Sequence, residues 1–499
     1  MNVAHLAEDS IRDRGERVSL VFEDREYTNV EIDEAARRLG NALRKLGVGR
    51  GDRVITQLPN CPEGIKAFQA VWKIGAVIVP ISHLMGDEEA AHVYRDSGAQ
   101  VVVTCSESLE VARRARSLAP EVKHLILTDA EFPDALSYQA LTGEGEEELA
   151  TAQTAGDELA ILIYTAGTTG KPKGVMISHY ALVSNASFGD DMRGIEIPPT
   201  LCPLPLCHGY GISIMNRCLG IGSKMILMRW FEAEECFRLI DKYRPLIVPA
   251  VPTMYVRMLA YPDADRYDLS SVLLWVSGSA PLSLETARAF NERFGATIHE
   301  GWGLTEAWAD NTLNPVTGTV KTGSIGLPMR ETEVKVCDDE DNEMAPGQEG
   351  EIVLRGPTLM MGYWNMPEES EQVLKGGWLR TGDIGYKDED GYIFITERKK
   401  DIIIKGGENI SPREIEEVLM THPEVVECGV VGVKDEVYGE DAKAFVVLKP
   451  GARCAEEEIV EHCRARLGGF KTPRAVHFME SLPKNLMGKV LKRELRRLG

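Results

Sequence analysis

Residues 159–174, LAILIYTAGTTGKPKG, form the stretch that decides the fold. Its first part, LAILI, is apolar throughout, which is typical of a strand covered on both faces. The second part holds three glycines, which let the backbone come close to a ligand, together with hydroxyl donors and positive charge. The side chains that supply these groups are Thr165, Thr168, Thr169, Lys171 and Lys173. The segment therefore predicts a buried strand that leads into a loop for phosphate oxygens.

This loop differs from a Walker P-loop. Gly170 and Lys171 are followed by Pro172, where the Walker motif needs a serine or threonine, and Thr165 stands in the place of its first glycine. The sequence also contains no H-E-x-x-H and no G-x-S-x-G motif, which removes two common classes of hydrolase.

Around this loop, the first 400 residues alternate short apolar runs with amphipathic helices. A capping box, Thr28 followed by Glu31, predicts one helix that ends at Gly47. Strands are predicted for the apolar runs at 54–58, 76–81, 100–104, 125–128, 159–165, 225–228, 246–251 and 273–277. Because several runs are apolar throughout, the predicted fold class is α/β, with a large N-terminal domain of stacked, mostly parallel sheets.

The pattern changes after residue 330. Shorter, alternating strands predict a small β subdomain at about 330–399, inside an N-terminal domain of residues 1–399. Residues 401–499 predict a mobile α+β C-terminal domain, whose first helix begins with a capping box from Ser411 to Glu414. The charged stretch around Lys400 is the predicted linker between the two domains.

Composition limits the classes of function. The 499 residues fit about three domains, and 43% hydrophobic with 27% charged residues is typical of a globular chain. The net charge of −21 argues against general nucleic-acid binding, which needs a basic surface. Residues 401–499 carry 17 acidic and 16 basic side chains, so nearly all of this negative charge lies in the first 400 residues.

Targeting and redox signals are missing from the sequence. The N-terminus has no basic and apolar signal region, and no run of about 18 apolar residues occurs, so we expect a cytoplasmic protein. The ten cysteines form no C-x-x-C pair. We therefore expect buried, small apolar residues rather than disulfides or a zinc site.

The loop at 164–174 resembles the signature loop of the adenylate-forming superfamily, which includes acyl- and aryl-CoA synthetases, peptide-synthetase adenylation domains and luciferases. Other motifs resemble those of the family and follow its order: SGSAP at 277–281, WGLTE at 302–306, TGD at 381–383, RKKD at 398–401, KGGENI at 405–410 and PKNLMGK at 483–489. The resemblance covers nearly the whole chain. It implies that ATP converts a carboxylic acid to an acyl-adenylate and pyrophosphate, after which coenzyme A takes the acyl group.

The resemblance also implies a nucleotide site with Mg2+. ATP and AMP would be bound by Thr165, Ala166, Gly167, Thr168, Thr169, Gly170, Lys173, Gly278, Ser279, Ala280, Trp302, Gly303, Asp383 and Arg398. Glu306 and Thr165 would hold the metal, and Thr305 would lie close to the α-phosphate. Lys489 would stabilise the charge of the adenylation transition state, since phosphoryl-type transfer needs charge neutralisation more than a protein nucleophile.

The second half-reaction is implied to use another face of the small domain. Family members rotate this domain about a hinge, here Lys400, between adenylation and thioester formation. Lys405, Gly406 and Gly407 would then bind coenzyme A, with the glycines lining a tunnel for its pantetheine arm.

Comparison with the family places the acyl pocket around His208, Met254, Tyr255 and Gly301, with His208 near the substrate carboxylate. Malonyl-CoA synthetases carry arginine in the place of Gly301, so a dicarboxylate substrate is disfavoured. A pocket of apolar residues and methionines, Met215 among them, favours a medium- to long-chain fatty acid. The family's usual tyrosine is replaced by Trp302, which leaves a ring for adenine but removes the phenolic hydroxyl.

Several alternatives remain open at this point. The acid could be aromatic, as in 4-coumarate or benzoate ligases, and a non-catalytic nucleotide-binding homologue or a luciferase is a less favoured alternative. The predicted partners are a small-molecule carboxylic acid, ATP and coenzyme A, without nucleic acid. A peripheral membrane contact for a lipid substrate and a homodimer are also open.

Overall fold

The apolar strand LAILI lies inside a mixed α/β molecule. The computed structural model describes residues 1–143, 148–165, 172–187, 199–485 and 488–498. The strands are β1 (Val18–Phe22), β2 (Arg25–Thr28), β3 (Arg53–Gln57), β4 (Val77–Ile81), β5 (Val101–Thr104), β6 (His124–Leu127), β7 (Leu136–Ser137), β8 (Leu159–Thr165), β9 (Lys173–Ser178), β10 (Thr200–Cys202), β11 (Met225–Leu227), β12 (Ile247–Ala250), β13 (Leu274–Ser277), β14 (Ile298–Trp302), β15 (Thr312–Leu313), β16 (Leu327–Pro328), β17 (Glu333–Cys337), β18 (Gly350–Arg355), β19 (Gly362–Tyr363), β20 (Leu374–Lys375), β21 (Trp378–Lys387), β22 (Ile393–Arg398), β23 (Ile403–Lys405), β24 (Glu408–Ile410), β25 (Val425–Asp435), β26 (Gly439–Leu448) and β27 (Ala475–Phe478).

Helices connect and cover these strands. They are α1 (His5–Arg14), α2 (Asn29–Lys45), α3 (Pro62–Lys73), α4 (Asp87–Ser97), α5 (Leu109–Ser117), α6 (Tyr138–Gly143), α7 (His179–Ser187), α8 (Gly209–Ile221), α9 (Ala233–Tyr243), α10 (Pro252–Ala260), α11 (Leu284–Phe294), α12 (Pro367–Val373), α13 (Pro412–Met420), α14 (Glu456–Lys471) and α15 (Lys492–Arg497). None of the helices in the described ranges has the length and apolar character that a membrane span requires.

Two large sheets build the N-terminal domain. One has the strand order β19-β9-β8-β4-β3-β5-β6-β7, and the other has the order β16-β15-β14-β13-β12-β10-β11-β1-β2. Both are parallel in their central part and antiparallel towards an edge, where β9 pairs with β8 and β15 with β14. The prediction of stacked, mostly parallel sheets is confirmed. All eight apolar runs contain the predicted strand, with ends shifted by at most one residue at either side.

Two smaller sheets follow. The antiparallel sheet of β17, β18, β20, β21 and β22 is the predicted β subdomain, and β23 to β27 form the sheet of the small C-terminal part. The described part of this last region has its own core, which includes Ile403, Ile415 and Phe445. A separate core is what a domain that moves as a unit requires.

Helix starts test the capping predictions. Thr28 and Glu31 form the complete capping box of α2, and such a cap is worth about 1 kcal/mol. The capping box predicted for Ser411 and Glu414 is confirmed for the serine and wrong for the glutamate. Ser411 Oγ accepts from the Glu414 amide at 3.3 Å, but the Glu414 carboxylate pairs instead with Lys471 of α14 at 2.7 Å, because that ammonium lies beside it.

Candidate active site

The two described ends of the glycine-rich loop face each other. Thr165 ends β8, Lys173 begins β9, and the two residues are antiparallel partners. The predicted nucleotide-binding residues between them, Ala166, Gly167, Thr168, Thr169 and Gly170, lie outside the described residues. The Lys173 ammonium lies 5.1 Å from the centre of the Tyr363 ring, so its charge is held at the mouth of the loop.

Glu306 shares Tyr363 as a neighbour with this lysine, and the sequence did not reveal that residue. The Tyr363 hydroxyl donates a hydrogen bond of 3.0 Å to Glu306 Oε1. Burial and this carboxylate raise the pKa of Tyr363, so the phenol stays protonated and remains a donor. Tyr363 sits in a two-residue strand that pairs with β9, and so short an element leaves no periodic signal in a sequence.

Glu306 and Thr305 belong to a tight turn of residues 303–310. Trp308 and Ala309 both have left-handed backbones, with φ of 47° and 65°, at a cost of about 1–2 kcal/mol each. The turn folds onto its own start, because a Cβ added to Gly303 would lie 1.1 Å from the Ala309 oxygen. Burial of the whole Trp308 side chain offsets the strain. The glycine of the WGLTE motif is therefore a steric requirement.

Asp383 is a buried carboxylate with two charged or polar partners. It follows Gly382 in β21 and stands opposite Arg398 of β22, whose Nε is 2.7 Å from Asp383 Oδ1. The indole N–H of Trp302 donates to the other oxygen, Oδ2, at 3.0 Å. Each carboxylate oxygen keeps a further lone pair, which suits hydroxyl donors such as those of a ribose. The replacement of the usual tyrosine by tryptophan thus supplies a hydrogen-bond donor to Asp383.

Lys489 of the small domain lies in this neighbourhood. Its pKa is lowered to about 8 by burial, with Arg398 adding to this effect and Asp383 opposing it. The backbone before it approaches closely, since a Cβ on Gly488 would lie 2.2 Å from Thr253 Oγ1 at the start of α10. The structure therefore brings together Lys489, Arg398 and Asp383, which are far apart in the sequence.

His208 faces the same lysine. It caps α8, and its Nδ1 accepts from the Tyr210 amide at 3.3 Å. Burial, to which the positive charge of Lys489 adds, lowers the pKa of His208 to about 4. A neutral ring that accepts at Nδ1 carries its proton on Nε2, which leaves Nε2–H as a donor.

Residues predicted to bind the nucleotide lie next to residues predicted for the acyl pocket. Gly278 lies against the Tyr210 ring, where an added Cβ would be 3.2 Å from a ring carbon, and the backbone oxygen of Gly301 lies close by. Ser279 has a left-handed φ of 68° and holds the turn before Ala280. Met254 is 7% exposed.

Tyr255, predicted for the acyl pocket, is enclosed by its neighbours. It is fully buried, its hydroxyl donates to the Val276 oxygen at 2.9 Å, and its ring packs edge-on against Phe290. Met215 is also fully buried. Both residues belong to the large hydrophobic core, because side chains on the inner face of a helix pack against the sheet.

The residues predicted for coenzyme A make their contacts within the small domain. The Lys405 ammonium is buried, 2.6 Å from Asp441 Oδ1 and 3.0 Å from the Phe470 oxygen, so its charge is used in local packing. Gly406 and Gly407 have left-handed φ values of 58° and 89° and form the tip of the β23–β24 hairpin. These residues are not part of the cluster around Asp383.

Lys400 stands between two anchored neighbours. Arg398 on one side is paired with Asp383, and Asp401 on the other side pairs with Arg496 of α15 at 2.7 Å. Burial and the positive charge of Arg398 lower the pKa of Lys400. The chain is therefore fixed to the large domain just before this residue and to the small domain just after it.

The cluster suits a polyphosphate and a hard cation. Glu306 and Thr305 offer oxygen donors, and no group of three or more histidine, cysteine, aspartate or glutamate side chains that could hold a metal occurs among the described residues. Mg2+ is commonly bound by one or two carboxylates with substrate phosphates, so the donor set fits this ion. Bound there, Mg2+ would neutralise phosphate charge.

Comparison with known proteins agrees with this geometry. The AMP-binding enzyme family matches residues 7–364, and the C-terminal domain of AMP-binding enzymes matches residues 414–489. A long-chain-fatty-acid–CoA ligase of Bacillus subtilis (strain 168) is 36% identical over 96% of this chain and 91% of its own length. A feruloyl-CoA synthase of an Amycolatopsis species is also 36% identical, over 94% of this chain and 93% of its own.

A solved structure gives the same result for the fold. The anthranilate CoA ligase AuaEII, in complex with anthranoyl-AMP, superposes with a TM-score of 0.93 at 31% identity, covering 100% of this chain and 97% of that one. With the family matched over most of the chain, and with Lys489, Arg398 and Asp383 brought together, the protein belongs to the AMP-binding enzymes of the adenylate-forming superfamily and is an AMP-forming acyl- or aryl-CoA ligase.

Proposed function

We propose that this protein is an ATP- and Mg2+-dependent acyl-CoA synthetase for a medium- to long-chain fatty acid. The carboxylate of the acid attacks the α-phosphorus of ATP, the bond to the pyrophosphate breaks, and the acyl-adenylate then reacts with the thiol of coenzyme A to release AMP. The chain's similarity to a long-chain-fatty-acid–CoA ligase over 96% of its length supports the fatty acid.

The chain's own residues provide the charge that this reaction needs. Two negatively charged reactants must meet, so cations near the α-phosphate lower the barrier. Lys489 and Lys173 supply such cations, and Thr165 and Glu306 supply oxygens for Mg2+. Asp383, held by Trp302 and Arg398, would orient the ribose.

One observation carries this proposal: the ammonium of Lys489, on the small domain, lies among Arg398, Asp383 and His208 of the large one. A lysine that took no part in a reaction would remain solvated, since burying a charge is costly. The neutral His208, with its proton on Nε2, can donate to the substrate carboxylate from the opposite side.

The second half-reaction is proposed to follow a rotation of the small domain about Lys400. The anchors on either side of this residue, Arg398 and Asp401, confine the backbone change to a short segment. The exposed hairpin tip at Gly406 and Gly407 would then turn towards the large domain and receive the pantetheine arm of coenzyme A. The proposal also includes a cytoplasmic location, a homodimer and a peripheral contact with a membrane.

An aromatic acid is the second candidate. The Tyr210 hydroxyl is buried and has no hydrogen-bond partner among the described residues, and its ring lies against Gly278. An unpaired buried hydroxyl costs about 1–3 kcal/mol, which a hydroxyl or amino substituent on a bound acid would recover. The 36% identity to a feruloyl-CoA synthase is consistent with this alternative.

A substrate panel separates the two candidates. Acids from C2 to C18, together with benzoate, cinnamate and 4-coumarate, are assayed for pyrophosphate release with and without coenzyme A. The fatty-acid proposal predicts the highest kcat/KM for an alkyl chain of eight or more carbons, and Tyr210→Phe should leave it nearly unchanged. A preference for 4-coumarate over cinnamate that Tyr210→Phe removes would establish the aryl alternative, and no pyrophosphate release with any acid would refute both.

A further inference from the structure

We propose that the ion pair between Arg217 and Asp310 is a positioning device, which holds the 303–310 turn so that Glu306 can bind Mg2+ with ATP. This inference rests on the proposed function. It concerns two residues outside all the motifs of the sequence, 93 positions apart, whose side chains meet at 2.8 Å between Arg217 Nη2 and Asp310 Oδ2.

The 303–310 turn is tied to the rest of the molecule at several points. The Met360 amide donates to the Glu306 backbone oxygen at 2.9 Å, and Asn185 Nδ2 donates to the Trp308 oxygen at 3.4 Å. The ion pair to Arg217 adds a charged tie at the end of the turn. Trp308 and Ala309 are strained, and strained backbone persists only where surrounding contacts over-determine it. Asp310 directly follows the strained pair, so a contact made by its side chain restrains the backbone of the turn.

Arg217 connects Asp310 to a rigid helix. It lies in the third turn of α8, the helix that His208 caps, and Ser213 lies one turn earlier on the same side. The Ser213 hydroxyl donates to the Tyr210 backbone oxygen at 2.8 Å, and Ser213 Oγ also lies 3.4 Å from Asp310 Oδ2. One helix therefore sets the position of His208 at its start and of the metal-binding turn through Arg217.

The environment makes this pair stronger than a surface ion pair. The side chains of Arg217 and Asp310 are 21% and 23% exposed, and their neighbours Ser213 and Asn216 are buried. Charge-assisted hydrogen bonds in partly desolvated sites are stronger than exposed ones, which contribute little. Loss of either charge would let the turn relax and move the Glu306 carboxylate away from its bond to Tyr363.

The test measures nucleotide binding and needs no acid substrate. The full-length protein is titrated with ATP by calorimetry, once with Mg2+ and once with EDTA, for the wild type, Asp310→Asn and Arg217→Gln. The increase in ATP affinity that Mg2+ causes should be about tenfold smaller in both variants. A change of this size corresponds to the loss of one charge-assisted hydrogen bond. Affinity for ATP in EDTA should change less than twofold, because the ribose and loop contacts are untouched.

Two further variants separate positioning from a general loss of stability. Arg217→Lys keeps a cation for the single 2.8 Å contact, so it should retain the effect of Mg2+ within about threefold. Lys321→Gln breaks the Lys321–Asp388 pair, which has a similar exposure of 26% and 23%, and should change thermal stability but not the effect of Mg2+.

The outcomes distinguish this inference from the proposed function. If the wild type binds ATP more tightly with Mg2+ and the Asp310 and Arg217 variants do so equally, the positioning role is wrong. If the variants lose ATP affinity equally with Mg2+ and with EDTA, in step with their melting temperatures, the pair is only structural. If the wild type shows no effect of Mg2+, the proposed function itself fails. Should Asp310→Asn not fold, the comparison of Arg217→Gln with Arg217→Lys decides the question.

Discussion

Lys489 offers the sharpest test of the proposed chemistry, because its ammonium lies at the meeting point of the two domains. Lys489→Ala removes a cation from the neighbourhood of the α-phosphate. Loss of one preorganised group that stabilises transition-state charge costs about 2.7–4 kcal/mol, or roughly 10²–10³ in rate. We expect a loss of this size in pyrophosphate release, while thiolysis of a supplied acyl-adenylate stays within about threefold.

The pH dependence adds an independent check. The pKa of Lys489 is about 8, so half of the molecules have lost the charge at that pH. The adenylation kcat/KM, which reports on the free enzyme, should therefore fall above pH 8, by about tenfold for each further unit. Lys489→Arg keeps its charge to above pH 12, so its profile should stay flat from pH 8 to 10. Ionisation of the bound substrates is the same in both proteins and cancels in the comparison.

The same pKa has a consequence for stability. Because the folded-state pKa is lowered from 10.5 to about 8, the folded chain binds fewer protons than the unfolded chain between these values, and stability rises with pH in this window. The loss of folding stability that the buried charge causes is complete below pH 8 and vanishes above pH 10.5. A shift of this size corresponds to about 3 kcal/mol, which solvent contact of the half-buried ammonium reduces to about 1–2 kcal/mol.

Lys489→Ala should therefore unfold in guanidinium with a free energy about 1–2 kcal/mol higher than that of the wild type at pH 7, and this gain should disappear near pH 10.5. An equal loss of both half-reactions, or a fall above pH 8 that persists in Lys489→Arg, would contradict the assigned role. A variant less stable than the wild type at pH 7 would show that the lysine is not a buried charge.

Two further predictions concern the WGLTE motif. Trp302→Phe keeps a ring but removes the indole N–H from Asp383. The KM for ATP should therefore rise about tenfold with little change in kcat, as expected for the loss of one hydrogen bond to a carboxylate. An unchanged KM in steady-state kinetics would mean that Asp383 needs no such partner. Gly303→Ala places a Cβ on the Ala309 oxygen and should lower the free energy of unfolding by about 3 kcal/mol or more, measured by guanidinium titration. Gly86→Ala, with open space around the added Cβ and a φ of −71°, serves as control. A stable Gly303→Ala protein with full activity would refute the steric argument for this turn.

The sequence alone predicted the elements whose signals are local. The buried run at 159–165, the capping box of Thr28 and Glu31, and the turn glycines depend on residues within a few positions of each other, so their physics can be read from neighbours in the chain. The fold class followed, since fully apolar strands between amphipathic helices have few ways to be covered on both faces. The motifs also indicated which kinds of side chain the site would contain.

Tertiary structure decided which of these side chains act together. Tyr363 and Glu306 are 57 positions apart, and Arg217 and Asp310 are 93 apart. No periodicity or spacing links such pairs, because their contact depends on strand order and on the packing of α8 against the 303–310 turn. The same holds for burial, since the motif context of Tyr255 does not reveal that the sheet behind α10 encloses it. The sequence determined the chemistry that is available, and the packing of distant segments determined where each charge lies and which partner it meets.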